Sequence, residues 1–227
     1  MSDPVPPPEL LRSLGCLVRG LSALFWGLPL VLVISVQTAR TSVLAAGGIA
    51  PPMLAHALLL FGLFQISRFK PHERVWVHAL DRTKLLALVN VGLSPFLFWH
   101  RMVPDEFIFE LAVWILAVSS LLFLLNLNRT LQRLAAMLPD ETLRLETRLF
   151  TTVNLCLLLT ALTGAALWIA AQQLGWMNRL PLFAVIFLDR VGLVILLLLV
   201  LLPVALSMTL LWRLKETILA GVFARAV

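Results

Sequence analysis

The chain has 227 residues, of which 60% are hydrophobic and only 13% charged, and its formal net charge is +6. Soluble domains average about a quarter charged residues, so this composition, with a mean hydropathy of +0.96, excludes an ordinary water-soluble fold as the expectation. The basic excess is expected to sit in short loops against anionic lipid headgroups, and no nucleic-acid partner is expected.

Residues 1–9 carry Pro4, Pro6, Pro7 and Pro8. Prolines lack a backbone donor and hold φ fixed, which predicts a short disordered leader. Arg12 then precedes, and Arg19 lies at the start of, an apolar run at about 17–36. That order resembles a secretory signal, but no small-x-small cleavage pattern follows Ser35 to Ala39, so an uncleaved first helix is expected. Further apolar runs lie at about 52–67, 84–100, 106–127, 149–172 and 190–212. A span needs roughly 20 residues, and the sequence therefore predicts an all-α integral membrane bundle of six transmembrane helices in one domain, 10–227. The sixth run is the clearest, with no charge over 191–212. The third is the weakest: it holds Asn90, Ser94 and Pro95, so its helix either begins earlier, near Asp81, or kinks at the proline.

Lysine and arginine separate by side in this arrangement. Fourteen of the 18 fall before span one, between spans two and three, between four and five, or after span six, and four (Arg40, Arg101, Arg179 and Arg190) fall on the other side. Basic loops stay cytoplasmic, so both termini are expected in the cytoplasm of a bacterial-type plasma membrane. Trp99, Trp176 and Trp212 are placed at span ends and Trp76 in a basic loop, while Trp26, Trp114 and Trp168 are expected to pack inside spans.

The cytoplasmic connections read as amphipathic. In 128–138, Leu131, Leu134 and Leu138 share a helical face away from Arg129 and Arg133. Residues 67–84 and 213–227 have a similar mixture, and interfacial helices lying on headgroups are expected. Thr83-Lys84-Leu85 with Val89-Asn90 matches Thr147-Arg148-Leu149 with Val153-Asn154 at a separation of 64 residues. This resembles a three-hairpin arrangement with parallel repeats, a layout some transporters use, although basic ends and leucine-rich spans recur in any hairpin and a handful of matches is cheap.

Ionisable groups inside spans are costly and so are functional candidates. Glu110 lies four residues after Glu106, on the same helical face. It is either a carboxylate reaching water at the outer interface or part of a site. Asp189-Arg190 marks the outer boundary of the sixth span or lies within a longer, tilted helix. Asn90 joins them as a substrate or ion candidate, while Asn90, Asn154, Gln65 and Asn126 serve by default as hydrogen-bonding glue between helices. Pro95, Gly92, Gly164 and Pro203 are expected to supply kinks or close helix approach. His56 and His100, at matched outer depth, are weak haem-ligand candidates, and His72 and His78 belong to a basic loop. Cys16 and Cys156 are isolated, so neither a disulfide framework nor a metal knuckle is expected, and no cofactor is expected.

No metalloprotease, nucleophile-elbow, phosphate-loop or dinucleotide-binding pattern occurs in the sequence. Three functions follow in order. The first is a structural, accessory or assembly subunit of a membrane complex, with a protein partner or a second copy of itself. The second is a transporter or channel component with a site at the outer ends of helices three, four and six. The third is a membrane-embedded enzyme or haem protein.

Overall fold

The computed structural model describes residues 8–69, 73–137, 141–173 and 182–223, and all regular structure among them is helical. Seven α-helices follow one another: α1 (Pro8–Arg40), α2 (Ala50–Ser67), α3 (Arg74–Leu93), α4 (Phe96–Met102), α5 (Phe107–Ala136), α6 (Glu141–Gln173) and α7 (Leu182–Phe223). With α3 and α4 taken together as one span, Arg74–Met102, six helices are long and apolar enough to cross a membrane.

Hairpin neighbours pack against each other: α1 with α2, α3 with α5, and α6 with α7. Helix α5 also packs on α6 and α7, and α1 closes the bundle against α7. The core is a leucine cluster that includes Leu17, Leu21 and Leu24 of α1, Leu59 and Leu63 of α2, Leu127, Leu131 and Leu134 of α5, and Leu210 and Leu214 of α7. The exterior is equally apolar. Among the described residues 27 hydrophobic side chains are buried and 35 large ones are exposed, so the outer surface is suited to hydrocarbon rather than water.

Small residues set the tightest packing. A Cβ on Gly20 of α1 would lie 2.7 Å from the Gly62 carbonyl oxygen of α2 and 2.6 Å from Ile66 Cγ1, and one on Gly27 would lie 2.6 Å from Leu59 Cδ2. Close approach falls on these glycines. At Gly92 and Gly164, where it was expected, an added Cβ would meet nothing within 4 Å. The turn joining α1 to α2 contains a 3₁₀ segment, Ala45–Gly47, ending at Gly48 with φ +57° and ψ −127°. That backbone region is accessible to glycine and strained for other residues.

Several expectations need correction. Helix α1 begins at Pro8, inside the anticipated leader. Proline is tolerated in a first turn because the N–H it lacks has no intrahelical partner there. Pro4, Pro6 and Pro7 lie outside the described residues. The separate interfacial helix expected over 128–138 does not form. Residues 128–136 continue α5, and Leu131 and Leu134 are buried in the core, because other helices of the bundle cover the face that lipid was expected to cover. Leu138 lies outside the described residues. Likewise α3 already runs from Arg74 and α7 continues to Phe223. At 1.5 Å per residue α5 is about 45 Å long, against about 30 Å of hydrocarbon.

The third rod begins early and is interrupted at Ser94 and Pro95, which separate α3 from α4. Trp76 is 1% exposed, and its Nε1–H donates to the Phe69 carbonyl at 3.2 Å, so it anchors the start of α3 instead of decorating a loop. Trp26 and Trp114 are exposed rather than packed inside, whereas Trp168 has no described side chain.

Candidate functional site

Eleven polar residues are buried among those described, and a group left unbonded in such a setting is costly. The best-connected of them meet where α5, α6 and α7 come together. Asn128 of α5 donates from Nδ2 to Ser207 Oγ of α7 at 2.9 Å and to the Leu124 carbonyl at 3.0 Å. Asn154 of α6 donates from Nδ2 to the same Ser207 Oγ at 3.1 Å and to the Pro203 carbonyl at 3.2 Å. The Ser207 hydroxyl lies 2.8 Å from the Pro203 carbonyl and 3.1 Å from Asn128 Oδ1, either of which can accept its proton. One hydroxyl, 0% exposed, therefore holds two amides from two other helices.

The sequence builds this junction by simple means. In a run of leucine and valine, Ser207 sits four residues after Pro203, so its side chain reaches back to the proline's carbonyl, the usual satisfaction of a hydroxyl inside an apolar helix. Asn128 and Asn154 occupy helical positions whose flanking leucines Leu124, Leu127 and Leu158 are buried. Beside the amides lies a small crevice of about 20 Å³, bordered by Asn128, Arg129, Thr151 and Asn154 and by three leucines. Asn154 Oδ1 has no hydrogen-bond partner within the protein.

A second polar contact joins α3 to α5, where the hydroxyls of Thr83 and Thr130 are 3.1 Å apart and both residues are buried. Thr83 and Asn90, and their counterparts Thr147 and Asn154 at the 64-residue offset, are all at most 2% exposed. The carboxamide oxygens of both asparagines lack a partner.

At one end of the bundle, charged groups tie helix termini together. Arg133 Nη1 donates to the Val75 carbonyl at 2.8 Å, Arg144 Nη2 to the Ala136 carbonyl at 3.0 Å, and Arg213 faces Glu146 at 3.6 Å. The side chains of the last pair are 54% and 43% exposed, and exposed pairs typically contribute between about 0.2 and 1 kcal/mol. Arg213→Gln is expected to shift the melting temperature of the detergent-solubilised protein hardly at all. A large drop would show that the pair carries weight its exposure does not suggest. At the opposite end Arg101 donates to the Thr41 carbonyl and joins α4 to the α1–α2 turn.

The sequence candidates are scattered. Glu110 is exposed in the first turn of α5, where the helix N-terminus favours a carboxylate. Asp189 and Arg190 fall inside α7 rather than ahead of it, and their side chains lie outside the described residues. His56 is buried in α2 with Nδ1 2.9 Å from the Pro52 carbonyl. A carbonyl only accepts, so that nitrogen carries the proton. His100 of α4 is half-buried, and its Nδ1 has no partner within the protein. His72 is outside the described residues, and His78 is exposed on α3. No group of three or more His, Cys, Asp or Glu suited to a metal occurs among the described residues. Of the four amides expected as interhelical glue, Asn154 acts so, Asn126 bonds the Leu122 carbonyl of its own helix, and Asn90 Oδ1 and Gln65 Oε1 are unpartnered.

Asn128 and Ser207 were missed. The available signal was a serine four residues after a proline in an otherwise apolar run, facing two helices that each carry an asparagine near their basic end. No family model, curated protein or solved structure matches the chain.

Proposed function

We propose that the chain is a multi-pass plasma-membrane protein of bacterial type, with both termini cytoplasmic, that serves as a structural or assembly subunit of a membrane complex and docks a partner's transmembrane helix along α6. The orientation rests on the fourteen-to-four division of basic residues. The observation that carries the subunit reading is the exposed face of α6. Within Arg144–Gly164 only 22% of the apolar 18-residue window is buried, against 28% to 39% for the other five spans.

Thr152, Cys156, Thr160 and Gly164 recur every fourth residue on α6 and are all exposed. The threonine hydroxyls are spent on their own helix, Thr152 on the Arg148 carbonyl at 3.0 Å and Thr160 on the Cys156 carbonyl at 2.8 Å. The stripe is thus shallow and already satisfied in hydrogen bonds, the surface that lets a second helix backbone approach closely in lipid. The same chain uses small residues in this way between α1 and α2, where Gly20 faces Gly62. On α6 the small residues are exposed, and an added Cβ on Gly164 would meet nothing within 4 Å among the described residues.

Cys156 supplies the test, because it is exposed on the stripe while Cys16 is buried. A maleimide–diazirine cross-linker attached at Cys156 in native membranes and then photoactivated is expected to join Cys156 to a neighbour, giving one discrete heavier species that disappears in Cys156→Ser. Mild-detergent purification should bring the same neighbour along in fixed ratio. A protein that stays monomeric under both treatments, while a monofunctional maleimide labels Cys156 fully, contradicts the proposal.

A further inference from the structure

The crevice between α5 and α6 has the size and the polarity of a site for one small molecule. We propose that a single water molecule occupies it and bridges Asn154 of α6 to Thr151, one turn earlier on the same helix, beside Arg129 of α5. This is independent of the docking role of α6.

Size is the first constraint. The crevice measures about 20 Å³, and a site needs roughly 10–15 Å³ on that scale to admit a water. One water fits and a larger solute does not. Polarity is the second. Asn154 is 1% exposed, and its Nδ2 is committed to Ser207 and Pro203, which leaves Oδ1 as an acceptor without a partner inside the protein. The Thr151 hydroxyl gives its proton to the Thr147 carbonyl at 2.8 Å, so toward the crevice it too can only accept. Asn128, the other amide on the wall, already bonds Leu124 and Ser207.

An occupant must therefore donate twice. Water does so, and its oxygen remains free to accept from the Arg129 guanidinium, whose residue borders the same space. A metal cation would suit the two oxygens but would lie beside a permanent positive charge. An anion would meet two acceptors and is disfavoured by both. Neutral, water-sized and doubly donating is the chemistry that satisfies every group on the wall.

Radiolytic hydroxyl labelling in ¹⁸O-water tests this on the full chain in lipid nanodiscs, since bound water oxidises the side chains it touches. Leu158 borders the crevice and is 0% exposed, while Leu24 in the α1–α2 interface is equally buried and serves as the dry control. Brief irradiation is expected to place ¹⁸O on Leu158 and none on Leu24, and Thr151→Val, which removes the second acceptor, should abolish the Leu158 label. Absence of label on Leu158 in the native chain overturns the proposal, whether or not the variant folds. Label that persists in Thr151→Val overturns the bridge, and label that changes when sodium is replaced by choline overturns water in favour of a cation.

Discussion

Gly20→Ala is expected to destabilise the protein by about 1–3 kcal/mol, the usual cost of forcing an extra carbon into a filled core, and Gly20→Leu by more. The added Cβ would sit 2.7 Å from a backbone oxygen of α2 and 3.0 Å from the Ile66 amide nitrogen. Backbone atoms cannot turn aside as side chains can, so α1 and α2 must separate. Separation also loosens the leucines that interlock along the hairpin, Leu17, Leu21 and Leu24 against Leu59 and Leu63. Gly164→Ala is the matched control, because nothing lies within 4 Å of its added carbon. There alanine should be neutral or stabilising by roughly 0.5–1 kcal/mol through helix propensity. Unfolding midpoints of the purified variants in detergent check the contrast. Equal effects at the two glycines would contradict the packing described for the first hairpin.

The second large effect is expected at Ser207. Ser207→Ala removes the hydroxyl with little change in volume and takes away the oxygen that both asparagine amides share, leaving each Nδ2 with one acceptor in place of two. Leaving a buried polar group unsatisfied costs about 1–3 kcal/mol, more than the roughly 0.6 kcal/mol averaged by interhelical hydrogen bonds in membranes. The diagnostic is non-additivity. Asn128→Leu combined with Ser207→Ala is expected to cost less than the two single changes together, since either change alone already breaks the hydrogen bond between them. Coupled neighbours deviate from additivity by about 0.5–3 kcal/mol. Strictly additive losses would mean that the amides and the hydroxyl do not act as one unit.

The number of spanning helices was legible because it rests on length and hydropathy, which a bilayer converts directly into structure. The six apolar runs each lie within one helix, or, for the third, within a helix broken at Pro95. Helix ends were less legible. An amphipathic segment next to a span can lie on headgroups or extend the span into the bundle, and local pattern does not distinguish them. Leu131 and Leu134 look the same in both cases and are buried only because the helices around α5 cover them. Trp76 fails for the same reason, as a tryptophan among basic residues reads as interfacial until its helix is placed.

The polar junction was half legible. Asn154 was visible as an amide in an apolar run, but its partner Ser207 lies 53 residues further along, and nothing local in the sequence specifies that pairing. Charged candidates drew attention because burial of charge is expensive, yet among the described residues the buried polar groups are amides, hydroxyls and the imidazole of His56. The glycines divide similarly. Gly20 and Gly62 matter through each other, whereas an added Cβ at Gly92 or Gly164 would meet nothing within 4 Å.

Insertion of all six helices, with the basic ends on the cytoplasmic side, is tested most directly by topology reporters. Alkaline phosphatase, active only outside the cytoplasm, should be active when fused after Asn178 or Val103 and inactive after Leu138 or Phe69. The opposite pattern, or activity on both sides of α6, would contradict the six-span arrangement.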